Sequence, residues 1–265
     1  MDAPLHVRVR LFALQRQQLG RRDVALELPP GATIEQAWTR LAEAHPVLGP
    51  ARPSMRFARN GEYADPATVL ADGDEVACIP PVAGGADGDT GAADGSSGEA
   101  DGRRVRRLAL GPAPIGDAEV NEMRAAVASP GDGAVVVFLG QTRTSPGTPA
   151  PGQEAEAARF AGQEVVGLEY EAYEGMALAL LGRIADEIEM RFGVRRLAIL
   201  HRTGPVAVGE ASVAIVVAAP HRESAFEACR YALEELKARV PIWKAERFAD
   251  GSVWLGAPPR EGPTA

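Results

Sequence analysis

Residues 72–102 read DGDEVACIPPVAGGADGDTGAADGSSGEADG, and the changes of composition inside this stretch set the organisation of the whole chain. Asp74 to Ile79 is an apolar run of strand length. Pro80 and Pro81 then remove two backbone donors and end it. Gly84-Gly85 follows, and from Ala86 to Gly102 only Ala, Asp, Gly, Thr, Ser and Glu occur. Nothing in that segment can anchor a core, and its charges repel, so residues 86–102 read as a flexible acidic linker. At ~5–6 Å × √n, such a linker has an r.m.s. span of roughly 20–25 Å. Two domains are therefore expected, one over residues 1–85 and one over residues 103–265.

Upstream, Val7, Val9 and Leu11 alternate with Arg8 and Arg10, and Val24, Leu26 and Leu28 repeat the pattern after a polar break. This period of two predicts a pair of strands with one buried face. Thr33 with Gln36 three residues on is a capping-box signal, and Ile34, Ala37, Trp38, Leu41 and His45 then keep helical spacing. Asn60-Gly61 predicts a hairpin turn between Met55–Arg59 and the short Glu62–Tyr63 piece, with Asp74–Ile79 as the last strand. The order β-β-α-β-β fits a sheet crossed by one helix, the β-grasp or ubiquitin-like architecture.

Composition narrows the function classes. The chain has 265 residues, 46% hydrophobic and 24% charged, with a net charge of −8. By region the charge divides as −1 over residues 1–85, −5 over 86–102 and −2 over 103–265. Neither expected domain carries the basic excess of a nucleic-acid binder. No apolar run approaches the ~20 residues of a membrane helix, and the N-terminus has no apolar signal core, so a cytoplasmic protein is expected. Cys78 and Cys229 lack metal-type or disulfide spacing and read as core thiols, with no metal site.

Downstream of the linker, Asp117 caps a short helix with Val120, Met123 and Val127 on one face. Strands are expected at Ala134–Gly140, Val165–Tyr173, Arg196–His201 and Ser212–Ala219. A helix from Met176 to Arg191 presents Ala177, Leu180, Ile184 and Ile188, and a second from Arg222 to Ala238 presents Phe226, Cys229, Leu233 and Leu236. This alternation predicts an α+β sandwich of helices on a mostly antiparallel sheet. Residues Gly147 to Gly162, rich in Pro, Gly, Ala and Glu, read as a mobile loop.

Four groups of residues could carry chemistry. Gly84-Gly85 has no Cβ atoms and forms a strip thin enough to thread a narrow tunnel. Lys237 and Lys244 are the only two lysines in a chain that uses 26 arginines. Where arginine is so strongly preferred, a retained lysine points to a site needing a group that can lose its proton. Pro241 must stop the helix between them, and a helix end with the following strand can bring both ammonium groups to one pocket. His221-Arg222 opens that same helix, where backbone N–H groups and the dipole favour an anion. Finally, Phe138-Leu139-Gly140-Gln141-Thr142-Arg143 is a strand running into a turn that ends in an arginine suited to an anion-binding rim.

With Asp72-Gly73-Asp74-Glu75-Val76 and Pro80-Pro81-Val82-Ala83-Gly84-Gly85, residues 5–85 resemble the small, sulfur-carrier subunit of molybdopterin synthase. Residues 104–256 resemble its large subunit in five pieces taken in order. These are the Phe138–Arg143 turn, Leu168-Glu169-Tyr170 to Gly175-Met176, His201-Arg202-Thr203-Gly204, His221-Arg222 through Phe226, and Leu236-Lys237 through Pro241-Ile242-Trp243-Lys244. The resemblance implies conversion of cyclic pyranopterin monophosphate to molybdopterin. The sulfur comes from a carrier glycine that a partner enzyme has adenylated and converted to a thiocarboxylate, and no other cofactor is implied. Carried over residue by residue, Gly85 is the sulfur-bearing end, Lys237 and Lys244 are the catalytic lysines, and Arg143, His221 and Arg222 hold the pterin and its phosphate. A homodimer through residues 104–256 is also implied. One departure matters: Gly85 is followed by Ala86, so its α-carboxylate does not exist in the uncut chain. The competing reading is a non-catalytic or unprocessed carrier and interaction module.

Overall fold

The computed structural model describes residues 3–80, 103–147 and 154–255. Gly84, Gly85, the proposed linker and residues 148–153 lie outside the described residues. The chain divides into two compact units at position 81/82.

In the first unit, β1 (Leu5–Leu11), α1 (Ala13–Leu19), β2 (Asp23–Leu28), α2 (Ile34–Ala44), β3 (Arg56–Arg59), β4 (Glu62–Ala64) and β5 (Glu75–Ile79) form one sheet and its helices. The sheet order is β2-β1-β5-β3-β4, with β1 and β5 parallel and the other pairs antiparallel. This is the β-grasp arrangement. Both halves of the expected capping box are made: the Thr33 Oγ accepts from the Gln36 N–H and the Gln36 Oε1 from the Thr33 N–H at 2.9 Å. Ile34, Ala37, Trp38 and Leu41 of α2 pack on Val7, Val9, Leu11, Phe57 and Val76, a core drawn wholly from this unit. Burying Ile34 or Leu41 stabilises the fold by about 1.5–3 kcal/mol each.

The Asp-Gly-Asp motif has a local cause. Asn60 (φ 51) and Gly61 (φ 86) both take the positive φ of a two-residue hairpin turn. The buried Asp74 carboxylate accepts from Arg59, from the Asn60 side chain and from the Ala71 N–H. Burial alone would raise its pKa, but these hydrogen bonds outweigh burial and hold the carboxyl below its ordinary value. Helix α1 was not expected from the polar segment between the first two strands. It is a short helix ended by Gly20 in the left-handed region, with Ala13 and Gln15 buried.

The second unit contains β6 (Val105–Gly111), α3 (Asp117–Val127), β7 (Ala134–Gln141), α4 (Glu154–Ala157), β8 (Val165–Ala172), α5 (Glu174–Phe192), β9 (Arg196–Arg202), β10 (Gly204–Ala207), β11 (Ala211–Ala219), α6 (Arg222–Arg239), β12 (Ile242–Phe248) and β13 (Val253–Leu255). Where one sheet was expected there are two, ordered β6-β9-β11-β7 and β10-β8-β12-β13. The chain passes between them at Thr203–Gly204, where Gly204 adopts φ 73. Only the β6–β9 pair is parallel.

All nine residues of β11 are buried, because helices cover both faces of the first sheet. Met123 and Val127 of α3 pack on Ala198, Ala214, Val216 and Ala218. The opposite face is covered by α5 and α6, whose buried residues include Leu181, Ile184, Ile188, Ala225, Ala228, Cys229 and Leu236. Phe226, expected in this core, is 63% exposed, since the alanine stripe of α6 faces the sheet instead. The N-cap of helix α3 is Gly116, whose N–H donates to the Glu119 carboxylate at 2.9 Å, and not Asp117, which is the first residue of the helix.

Within the segment expected as a loop, the described residues 154–162 have structure of their own. The segment contains α4, and Phe160 stacks on Phe248 at 4.8 Å in the core of the second sheet, alongside Trp254. Both cysteines are free and buried, and desolvation raises both thiols, Cys229 to about 11. Among the described residues no helix is long and apolar enough to cross a membrane, and no group of three or more His, Cys, Asp or Glu is placed to hold a metal ion.

Candidate active site

Three elements of the second unit converge on one cationic cluster. Lys237 lies in the last turn of α6, Lys244 in β12, and Arg143 in the turn that leaves β7. Pro241 ends the helix and sends the chain back as a strand, with the Tyr173 N–H donating to the Pro241 carbonyl at 3.1 Å. That reversal puts Lys244 within electrostatic reach of Lys237. The Lys237 amine is lowered from its ordinary pKa first by desolvation and then by the positive charges of Lys244 and Arg143, with Glu234 opposing. Lys237 remains solvent-accessible and forms no ion pair among the described residues. It is thus an accessible amine biased toward the neutral base.

Lys244 differs. Its side chain is 25% exposed, and its ammonium donates to Glu246 Oε1 at 2.7 Å. The two residues are two apart on a strand and so share a face. Lys244 is also the register partner of Tyr170 on β8. The Tyr170 hydroxyl donates to Ser212 Oγ at 3.2 Å, and Ser212 donates in turn to the Gly140 carbonyl at 3.2 Å. Burial first, with the Glu246 charge adding to it, raises the Tyr170 phenol against the lowering effect of Ser212. Beneath it His201 stands edge-on to the Tyr170 ring at 4.9 Å, with its Nδ1 2.8 Å from the Arg202 carbonyl. Burial lowers His201 to about 4, so the ring is neutral at pH 7 and donates its Nδ1–H to that carbonyl. Arg202 is buried and bonded to Glu210 and to the Pro205 carbonyl. The His201-Arg202 pair therefore supports the floor of the cluster.

Arg143 is exposed and, among the described residues, bonded only to its own turn, through the Pro146 carbonyl at 3.2 Å. Its remaining donors can meet an anion. His221 and Arg222 are also exposed, but they occupy the opposite end of α6 from Lys237. Fifteen residues at 1.5 Å separate Arg222 from Lys237 by about 22 Å along the helix axis. The structure thus joins Arg143, Lys237 and Lys244 and leaves His221-Arg222 apart within one chain. Gly84 and Gly85 lie outside the described residues.

Two residues of the cluster were missed in the sequence. Glu246 is 2% exposed, and both its oxygens lie 3.1 Å from the Gly147 N–H. The Lys-x-Glu spacing in a strand was the available signal for Glu246. Gly147 had none, since its partner is 99 residues away.

Comparisons with known proteins match this organisation. The family model described as MoaE protein matches residues 116–239, and that described as ThiS family matches residues 9–85. The molybdopterin synthase catalytic subunit 1 of Aedes aegypti is 43% identical over 134 residues, 50% of this chain and 77% of that protein. The molybdopterin synthase catalytic subunit of Homo sapiens is 39% identical over 137 residues, 52% of this chain and 65% of that protein. Among solved structures, molybdopterin synthase from Staphylococcus aureus has 36% identity and a TM-score of 0.47, covering 56% of this chain and 95% of that one.

Proposed function

Because the chain belongs to the family of molybdopterin synthase catalytic subunits, an enzyme family of molybdenum cofactor biosynthesis, we propose that it converts cyclic pyranopterin monophosphate to molybdopterin, taking sulfur from its own N-terminal unit. The observation that carries the reading is the meeting of the chain's only two lysines with Arg143 in one cluster. Both the substrate phosphate and a thiocarboxylate are anions, and such a cluster is complementary to each.

The lysines divide the work. Lys237, accessible and biased toward the free base, moves protons as each carbon–sulfur bond forms. Lys244, held by Glu246, is a fixed cation facing developing negative charge, and Arg143 binds the substrate phosphate. Each transfer joins the thiocarboxylate sulfur to a pterin side-chain carbon as a carbon–oxygen bond at that carbon breaks, the oxygen leaving protonated as water or as the freed phosphate oxygen. Water then cleaves the acyl–sulfur bond, returning the glycine carboxylate and leaving the thiolate on the product. Sulfur arrives on the glycine, so the scheme uses no metal or organic cofactor, and we place the reaction in the cytoplasm with an adenylating and sulfurating enzyme as partner.

The 22 Å between Arg222 and Lys237 bears on oligomeric state. If His221 and Arg222 bind the same substrate, a second copy supplies them, in a homodimer formed through the second unit. Mixed oligomers provide the test: a Lys237→Ala chain and an Arg222→Ala chain, each deficient alone, recover part of wild-type turnover when co-assembled. No recovery in verified mixed dimers removes His221 and Arg222 from the shared site.

A thiocarboxylate needs a free α-carboxylate, whereas Gly85 is joined to Ala86. We therefore infer cleavage after Gly85, in a segment without bulky side chains. Intact mass of active protein from its own host is expected to show a carrier ending at Gly85. An uncut chain that makes molybdopterin with no added carrier refutes this step. The wider reading fails if the chain forms no dithiolene when given substrate and thiocarboxylated residues 1–85.

A further inference from the structure

The turn that carries Arg143 and the strand that carries Lys244 meet at one buried side chain. Glu246 Oε1 accepts from the Lys244 ammonium at 2.7 Å, and the Gly147 N–H points between the two carboxylate oxygens at 3.1 Å from each. The Glu246 side chain is only 3% exposed. Burying a carboxylate costs several kcal/mol unless it is paired and hydrogen-bonded, and an apolar residue of similar volume would fill the space without that cost. Packing alone therefore does not account for an acid here.

The backbone at Gly147 is shaped to the pair. A Cβ on that residue would stand 2.7 Å from Glu246 Oε1 and 2.9 Å from Lys244 Nζ, so any other residue would have to push the carboxylate and the ammonium aside. The rest of the turn is held independently. The Thr142 N–H donates to the Glu210 carbonyl at 2.9 Å, the Val165 N–H donates to the Thr144 carbonyl at 2.8 Å, and Arg143 holds the Pro146 carbonyl. Among the described residues, Glu246 is the contact that joins the end of this turn to β12. Both its oxygens are engaged and shielded from solvent, so it is placed to orient other groups and not to exchange protons with a substrate.

We propose that Glu246 is a positioning residue that ties the Lys244 ammonium to the main chain at Gly147, so that the turn bearing Arg143 and the strand bearing Lys244 meet the substrate as one unit. This rests on the reading that Lys244 and Arg143 contact substrate. It assigns Gly147 a part in holding the reacting geometry and gives the start of the 147–162 segment a function.

The test compares Glu246→Gln, Gly147→Ala and the double variant in the full chain, with thiocarboxylated residues 1–85 supplied as donor. Displacing a reacting group by about 1 Å can cost on the order of 10²-fold in rate. Each single variant is expected to lower kcat by roughly 10–100-fold. KM should stay within about threefold, because the Thr142 and Thr144 main-chain bonds still hold the turn that carries Arg143. The double variant should be no slower than the slower single, since both break the same tie. Should Glu246→Gln fail to fold, Gly147→Ala, which removes no buried charge, carries the test alone. Wild-type kcat in either folded variant, or losses that multiply in the double, overturns the proposal. A wild-type chain that makes no dithiolene under these conditions instead refutes the functional reading.

Discussion

Replacing Lys244 by methionine removes a charge while keeping most of the side chain's length, and the structure sets the size of the result. The lost ammonium is the cation paired with Glu246, a carboxylate 3% exposed. Breaking a buried pair from one side typically costs 3–5 kcal/mol. Lys244→Met should therefore destabilise the second unit by roughly 3–5 kcal/mol. Adding Glu246→Gln, which removes the stranded charge, should restore most of the loss. Urea unfolding followed by tryptophan fluorescence measures this in a Trp38→Phe background, where Trp243 and Trp254 report on the second unit alone. Destabilisation under ~1 kcal/mol, or no restoration by the second substitution, refutes the ion-pair argument.

Lys237→Met should instead abolish turnover while moving stability by under ~0.5 kcal/mol, because the residue is accessible and unpaired among the described residues. Since like charges help lower the Lys237 pKa, Arg143→Gln should shift the rising limb of the kcat–pH profile to higher pH, besides raising KM; an unmoved limb separates Lys237 from the titration. His201, lowered to about 4 by burial, binds fewer protons folded than unfolded between pH 6.5 and 4, so its contribution is complete above pH 6.5 and is lost as pH falls toward 4. That contribution is about 3 kcal/mol, and His201→Phe should flatten the second unit's stability across this window by a comparable amount, measured by urea titration at each pH.

Much of the fold was readable because its signals are local. The Thr33–Gln36 box, the Asn60-Gly61 turn and the alternation along β1 and β2 each arise within a few residues, and the structure forms them where expected. Helix α1 was missed because its seven residues bury only Ala13 and Gln15, too little for a period to show. The second sheet was missed for a different reason. Strands β8, β10, β12 and β13 are gathered by pairings such as Ile242 with Ala172 and Val206 with Leu168, and these leave no trace in either strand alone. In α6 hydrophobicity misled: Phe226 fits the helical period, but close packing against β11 selects Ala225, Ala228 and Ala232. For the site, the rarity of lysine pointed to Lys237 and Lys244, whereas the contact of Gly147 with Glu246 exists only in three dimensions.

The arginine-rich composition also makes the site chemically addressable. Guanidinium groups keep their protons near neutral pH and are poor nucleophiles, so an acylating or reductive-alkylating reagent finds just two side-chain amines in the chain. One of them, Lys244, is locked as an ammonium donor against Glu246, while Lys237 is open to solvent with its pKa depressed. Selective modification needs no engineered handle. A reagent used in slight excess near pH 7 labels Lys237 ahead of Lys244, and bound substrate protects it; with label on the α-amine set aside by peptide mapping, the stoichiometry of label on Lys237 against lost turnover counts working centres in a preparation.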